Sequence, residues 1–122
     1  EDGIRDYKVT GVQTCALPIS DVAQHITLTE GDTKDFVPAT KPALVVTNPP
    51  YGDRLSADPV ELEASWQALG NFLHRQCGGA RAFVLSGNPE LTSNLGLRAD
   101  RKWPVWNGPI ECRWLRYGID AR

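Results

Sequence analysis

The chain has 122 residues and a formal charge of −2, enough for one small domain or a piece of a larger one. Hydrophobic residues make up 41% and aromatics 8%, ordinary for a soluble α/β chain. No stretch approaches the ~20 apolar residues of a membrane span, so no membrane partner is expected. The acidic balance gives no global basic footprint and counts against autonomous nucleic-acid binding. Basic residues do gather late, at Arg98, Arg101, Lys102, Arg113, Arg116 and Arg122, as a solvated face or an RNA contact. Cys15, Cys77 and Cys112 lack metal or disulfide spacing and read as free thiols of a reducing, cytoplasmic compartment. His25 and His74 are too isolated to argue for a metal, and none is expected.

In chain order, residues 9–19 (Val-Thr-Gly-Val-Gln-Thr-Cys-Ala-Leu-Pro-Ile) come first. They are similar to the conceptual translation of a sequencing-library adapter. Residues 1–19 are therefore set aside as a non-native segment, although Tyr7 to Val12 do alternate as a strand would. Residues 20–122 remain as the native part of the chain. Residues 26–31 alternate apolar and polar and are expected to form a strand. Asp32 follows at its carboxyl end, either as a carboxylate for a cofactor's adenine amino group or as half of an ordinary Gly-Asp turn.

The next strand, residues 43–47, is a short apolar run that ends in Asn48-Pro49-Pro50-Tyr51-Gly52. Two successive prolines remove two backbone donors and fix φ, so the strand must stop there. The chain continues as a rigid loop at the carboxyl end of a sheet, where open α/β folds bind ligands. The loop carries an amide side chain, a proline carbonyl and an aromatic face, a set suited to a planar base with an exocyclic amino group. The Asn48 oxygen and the Pro49 carbonyl can each accept one N–H, turning the nitrogen lone pair towards a methyl donor. Tyr51 can stack on the base, a contact worth roughly 1–3 kcal/mol. No strong general base is needed, because the amine loses its proton after the methyl arrives. Alignment would supply most of the rate, with roughly 7–11 kcal/mol available in well-oriented reactions. The plainer reading is a Pro-rich turn closing a buried strand.

Arg54, in the polar loop after Gly52, meets a substrate phosphate or forms a surface salt bridge. Asp58, Pro59 and Glu61 predict a capped helix start with a capping box. Leu62, Trp66, Leu69, Leu73 and Cys77 then recur at helical spacing as one core face, and Gly78-Gly79 ends the helix. Residues 82–86 read as a second buried strand. Gly87-Asn88-Pro89-Glu90-Leu91 turns into a short helix to about Leu95. Residues 103–106 and 110–119 read as two strands joined by an Asn107-Gly108 hairpin turn. Strand–helix–strand alternation with a terminal hairpin predicts a doubly wound α/β sheet with an antiparallel end.

Three motifs carry a family resemblance: residues 47–55 (Thr-Asn-Pro-Pro-Tyr-Gly-Asp-Arg-Leu), 86–91 (Ser-Gly-Asn-Pro-Glu-Leu) and 107–113 (Asn-Gly-Pro-Ile-Glu-Cys-Arg). From about Ile26 to Ile119 the chain resembles the C-terminal part of a class I S-adenosylmethionine-dependent methyltransferase with a Rossmann-like sheet. It is most similar to the large-subunit ribosomal RNA guanine-N2 methyltransferases that carry a THUMP domain upstream. The resemblance implies that Asn48, Pro49, Pro50 and Tyr51 form the catalytic loop. It implies that Asp32 and Asn48 contact S-adenosyl-L-methionine, and that Tyr51 and Arg54 contact the substrate.

The same resemblance implies the strand order 3-2-1-4-5-7-6 and a large-subunit ribosomal RNA partner, reached through a longer parent protein. The chain lacks the family's glycine-rich loop and the acidic end of its second strand. The sheet is therefore expected to be without its first two strands, and the isolated chain to bind cofactor weakly or not at all. Two alternatives stand beside this reading: an adenine-N6 nucleic-acid methyltransferase, or a non-catalytic α/β binding module.

Overall fold

Among the described residues, four strands form one sheet in the order β1-β2-β4-β3: β1 Leu44–Thr47, β2 Arg81–Ser86, β3 Arg101–Asn107 and β4 Ile110–Gly118. The computed structural model describes residues 23–51 and 58–121. β1 runs parallel to β2, with Leu44 opposite Arg81 and Thr47 opposite Val84. β4 is antiparallel to β2 and to β3. This order matches the 4-5-7-6 half of the expected methyltransferase sheet. β1 sits at the edge of the described sheet, where Leu44 and Val46 are 57% and 61% exposed.

Helix α1, Pro59–Gln76, connects β1 to β2. Its start follows the expected chemistry in part. The Asp58 side chain accepts from the Val60 amide at 3.0 Å and Pro59 occupies the first turn. The Glu61 side chain makes no bond back to the Asp58 amide among the described residues, so the cap rests on Asp58 rather than on a reciprocal box. Of the predicted apolar face, Trp66, Leu69, Leu73 and Cys77 are buried and Leu62 is half-buried; with Phe72, which is not part of that predicted face, they pack with Ala82, Val84, Leu115 and Tyr117. Each fully buried large apolar side chain contributes about 1.5–3 kcal/mol. Burial also raises the Cys77 thiol pKa and pushes the Tyr117 hydroxyl up to about 12. Cys77 and Cys112 are both free and buried.

After β2 the chain turns through Gly87 into the short helix α2, Pro89–Thr92. The Asn88 side chain caps it, accepting from the Glu90 and Leu91 amides at 2.9 and 3.4 Å. The Ser86 hydroxyl lies 2.8 Å from that of Thr92 and accepts from the Asn88 amide at 3.2 Å. Residues 86–91 are thus a polar knot that fixes the exit of β2. A helical turn, Ser93–Leu95, continues from α2. It approaches α1 so closely that a Cβ at Gly70 would overlap the Leu95 carbonyl, and glycine is the residue that lets the two backbones meet.

Two expectations change. Residues 26–31 form no strand; a three-residue helical turn, Ala23–His25, precedes them. Alternation shows that a segment suits a pleated surface, but a strand exists only by backbone pairing. The four described strands pair with one another. These residues belong to the first of two units, Glu1–Asp32, and the sheet to the second, Thr33–Arg122.

The hairpin turn also lies one residue later than predicted. Asn107 pairs with Ile110, so the central residues are Gly108, with φ +64, and Pro109. A turn centred on Asn107-Gly108 would need the Pro109 amide to donate back across the loop, and proline has no N–H. Moving on by one makes Ile110 the donor and places proline where its fixed negative φ is tolerated. Pro104 lies in β3, an edge strand of the sheet, where a missing donor costs least.

Candidate active site

Because β1 and β2 are parallel and β4 is antiparallel to β2, one end of the sheet gathers three connections. These are the loop after β1, the turn after β2 and the β3–β4 hairpin. The loop after β1 holds Asn48, Pro49, Pro50 and Tyr51, and each of the three connections carries one of the motifs singled out in the sequence.

They meet at Tyr51. Its ring lies against Gly87, where a Cβ would fall 2.8 Å from ring atoms Cδ2 and Cε2. Its hydroxyl accepts from the Asn107 side-chain amide at 2.8 Å, and the Cys112 thiol points to it at 3.8 Å. A second anchor holds the peptide just before the ring, where the Trp66 indole N–H donates to the Pro50 carbonyl at 2.7 Å. Trp66 is fully buried, so the loop hangs from the core of α1. Tyr51 is itself half-buried and packs against the core cluster.

Around this fixed point the amide side chain is left available. Asn48 is exposed and Pro49 half-buried. Pro50 has its carbonyl occupied by Trp66. A planar amine approaching the loop therefore meets the Asn48 side chain beside a rigid backbone whose conformation the prolines restrict. Such a site can hold and orient two N–H groups.

Asp32 closes the first unit and is exposed. Arg54 falls outside the described residues. Sequence reasoning missed Trp66 as a loop anchor, Gly87 as the seat of the ring, and Asn107 and Cys112 as partners of the hydroxyl. The signal present was that Gly87, Asn107 and Cys112 belong to the two downstream motifs. The residues those motifs touch were not readable. His74 is half-buried with its ring nitrogen 3.4 Å from the Gly96 carbonyl.

A family model described as "RMKL-like, methyltransferase domain" matches residues 13–116, beginning inside the segment set aside as non-native. Among similar proteins is a ribosomal RNA large subunit methyltransferase K/L of Allochromatium vinosum. It is 48% identical over 79 residues, covering 65% of this chain and 11% of that protein. The namesake from Aeromonas salmonicida is 44% identical over 81 residues, covering 66% of this chain and 11% of the relative. The chain thus spans about a tenth of the length of the curated relatives it matches.

Among solved structures, a putative methyltransferase complexed with SAH aligns with TM-score 0.79 at 20% identity, covering 93% of this chain and 29% of that one. A possible methylase from Clostridium difficile 630 aligns with TM-score 0.70 at 23% identity, covering 83% of this chain and 26% of its own. At these identities the two structures speak for the fold. The fold, the match over most of the chain and the identity to the ribosomal RNA enzymes agree, and the chain belongs to the RMKL-like methyltransferase domain family.

Proposed function

We propose that this chain is part of the catalytic domain of an enzyme that methylates the exocyclic N2 of guanine in large-subunit ribosomal RNA, with S-adenosyl-L-methionine as donor. The observation that carries this reading is the convergence of three separated motifs on Tyr51, which leaves Asn48 exposed beside a fixed loop. Asn48 and Pro49 accept the two N–H groups of the guanine amine and turn its lone pair out of the ring plane. Tyr51 presents its ring to the base, and Arg54 meets a phosphate. Unstacking the guanine costs a few kcal/mol, least where it is already unpaired.

The cofactor side is only partly supplied by the described residues. Asn48 is exposed at the carboxyl end of β1, and Asp32 is proposed for the adenine. A glycine-rich turn between strand and helix is not found among the described residues. When bound, S-adenosylmethionine supplies an electrophilic methyl group. Residues 1–19 are proposed to be non-native and 20–122 to be the native part of the domain, working in the cytoplasm within the longer parent.

The test is to incubate the whole parent enzyme with unmodified ribosomal RNA and labelled donor, then identify the methylated nucleoside by mass spectrometry. N2-methylguanosine is the expected product. N6-methyladenosine would replace this reading by the adenine alternative, and no product at all would favour a binding module. In the same assay, Asn107→Ala removes one hold on the Tyr51 hydroxyl, a hydrogen bond worth about 0.5–1.5 kcal/mol. The expected result is a several-fold rise in KM for RNA with a smaller change in kcat. Unchanged kinetics would mean that Asn107 does not position the ring.

A further inference from the structure

A groove of about 680 Å³ opens beside the candidate active site, between α2 with its following turn and the β3–β4 hairpin. Gly87, the residue that seats the Tyr51 ring, is among the residues that line it. Its walls carry Arg98, Lys102 and Arg113, with the hydroxyl residues Thr92 and Ser93. Glu111 is the one carboxylate among the lining residues, which leaves an excess of two positive charges. That excess stands out against a chain whose formal charge is −2.

The neighbouring arginines are engaged elsewhere. Arg116 pairs with Asp100 at 2.6 Å, and Arg101 lies over the Trp103 ring at 5.1 Å. By contrast Arg98, Lys102 and Arg113 are exposed and take part in no ion pair among the described residues. Exposed guanidinium and ammonium groups along a groove are the usual contacts to phosphate. The side chains that face the groove offer no exposed aromatic platform for bases, since the one aromatic lining residue, Tyr117, is 1% exposed.

We propose that this groove binds the sugar–phosphate backbone of single-stranded RNA leading away from the target nucleotide, through Arg98, Lys102 and Arg113 and without regard to base identity. The proposal rests on the reading of an RNA substrate. Its position gives it a purpose. Gly87 both lines the groove and seats the Tyr51 ring, so a strand leaving a nucleotide held at Asn48 and Tyr51 can pass into it there. Phosphates anchored there fix the register in which the base is presented. Glu111 opposes the same phosphates and limits how tightly the strand is held.

The experiment uses this chain and a fluorescein-labelled single-stranded RNA oligonucleotide, with affinity read by anisotropy over a range of salt. Each cation bound to a single-strand phosphate contributes about 0.7 to the slope of log affinity against log salt. Replacing all three (Arg98→Gln, Lys102→Gln, Arg113→Gln) is expected to flatten the slope by about 2 units and to weaken binding equally for different base sequences. Arg75→Gln with Arg81→Gln, on exposed sites elsewhere, is expected to leave the slope unchanged. Glu111→Gln is expected to tighten binding.

Circular dichroism checks that each variant is folded, and the single Arg113→Gln variant carries the same test should the triple one fail. An unchanged slope in the triple variant, an equal loss in the control, or no RNA binding by the wild-type chain would each overturn the proposal. A parent enzyme that methylates adenine instead would overturn the guanine reading and leave the groove standing.

Discussion

Replacing Asn48 by Ala is expected to lower kcat of the whole enzyme by about 10²–10³-fold, the loss seen when one polar group is removed from a charge-stabilising site. The stability of the domain should change by less than about 0.5 kcal/mol. The two effects separate because Asn48 is exposed, and exposed substitutions away from caps and networks rarely move stability further. The chemistry requires this residue. An aromatic amine is a poor nucleophile while its lone pair is delocalised, and the side-chain oxygen is one of two acceptors that turn it out of the plane. The Pro49 carbonyl cannot do so alone, since one acceptor leaves the amine free to rotate back. RNA affinity should stay close to wild type, because the Tyr51 ring and the phosphate contacts do not pass through Asn48. Single-turnover methyl transfer and thermal melting measure the two sides. Turnover within about tenfold of wild type, well short of that loss, would remove the loop from catalysis and favour a binding module.

The second large effect is expected at Trp66, where core and candidate site are joined. Trp66→Ala should destabilise the domain by about 3–5 kcal/mol, the range for emptying a buried aromatic site. The side chain has no solvent exposure, at 0%. Against a typical total of about 5–15 kcal/mol for a domain, that loss removes a large share of the stability. Trp66→Phe distinguishes packing from anchoring. It keeps an aromatic ring in the core and removes the indole N–H that holds the Pro50 carbonyl at 2.7 Å. The lost bond costs about 0.5–1.5 kcal/mol. The expected result is a folded variant with a lower kcat, because the loop that carries Asn48 is no longer tied to α1. Denaturant titration and kinetics together decide this. A Trp66→Phe enzyme with wild-type kcat would make Trp66 a core residue alone. A Trp66→Ala chain within about 1 kcal/mol of wild type would contradict its place in the core.

The signals legible in the chain alone were local. The Pro49-Pro50 pair stops β1 because proline cannot donate. Asp58 and Pro59 start α1, and the spacing of Leu62, Trp66, Leu69, Leu73 and Cys77 selects the buried face. Those signals act between residues only a few positions apart along the chain. The candidate catalytic loop was legible for the same reason, as a strand stop carrying an amide and an aromatic ring. The half-sheet order followed from the family resemblance rather than from any local signal.

Packing between distant elements settled the rest. Residues 26–31 alternate like a strand, yet alternation cannot supply a pairing partner, and they form none. Asn107 reads as a turn residue, but the missing amide of Pro109 moves the turn onward and leaves Asn107 in β3, facing Tyr51. The contacts that fix the loop join residues 16, 56 and 61 positions apart. No spacing rule reaches so far, because such distances are closed by the packing of the sheet and not by the local geometry of the chain. The grouping of Arg98, Lys102 and Arg113 into one groove has the same origin. In sequence they are three among several late basic residues, and only the pairing of β3 with β4 beside α2 sorts them from Arg101 and Arg116.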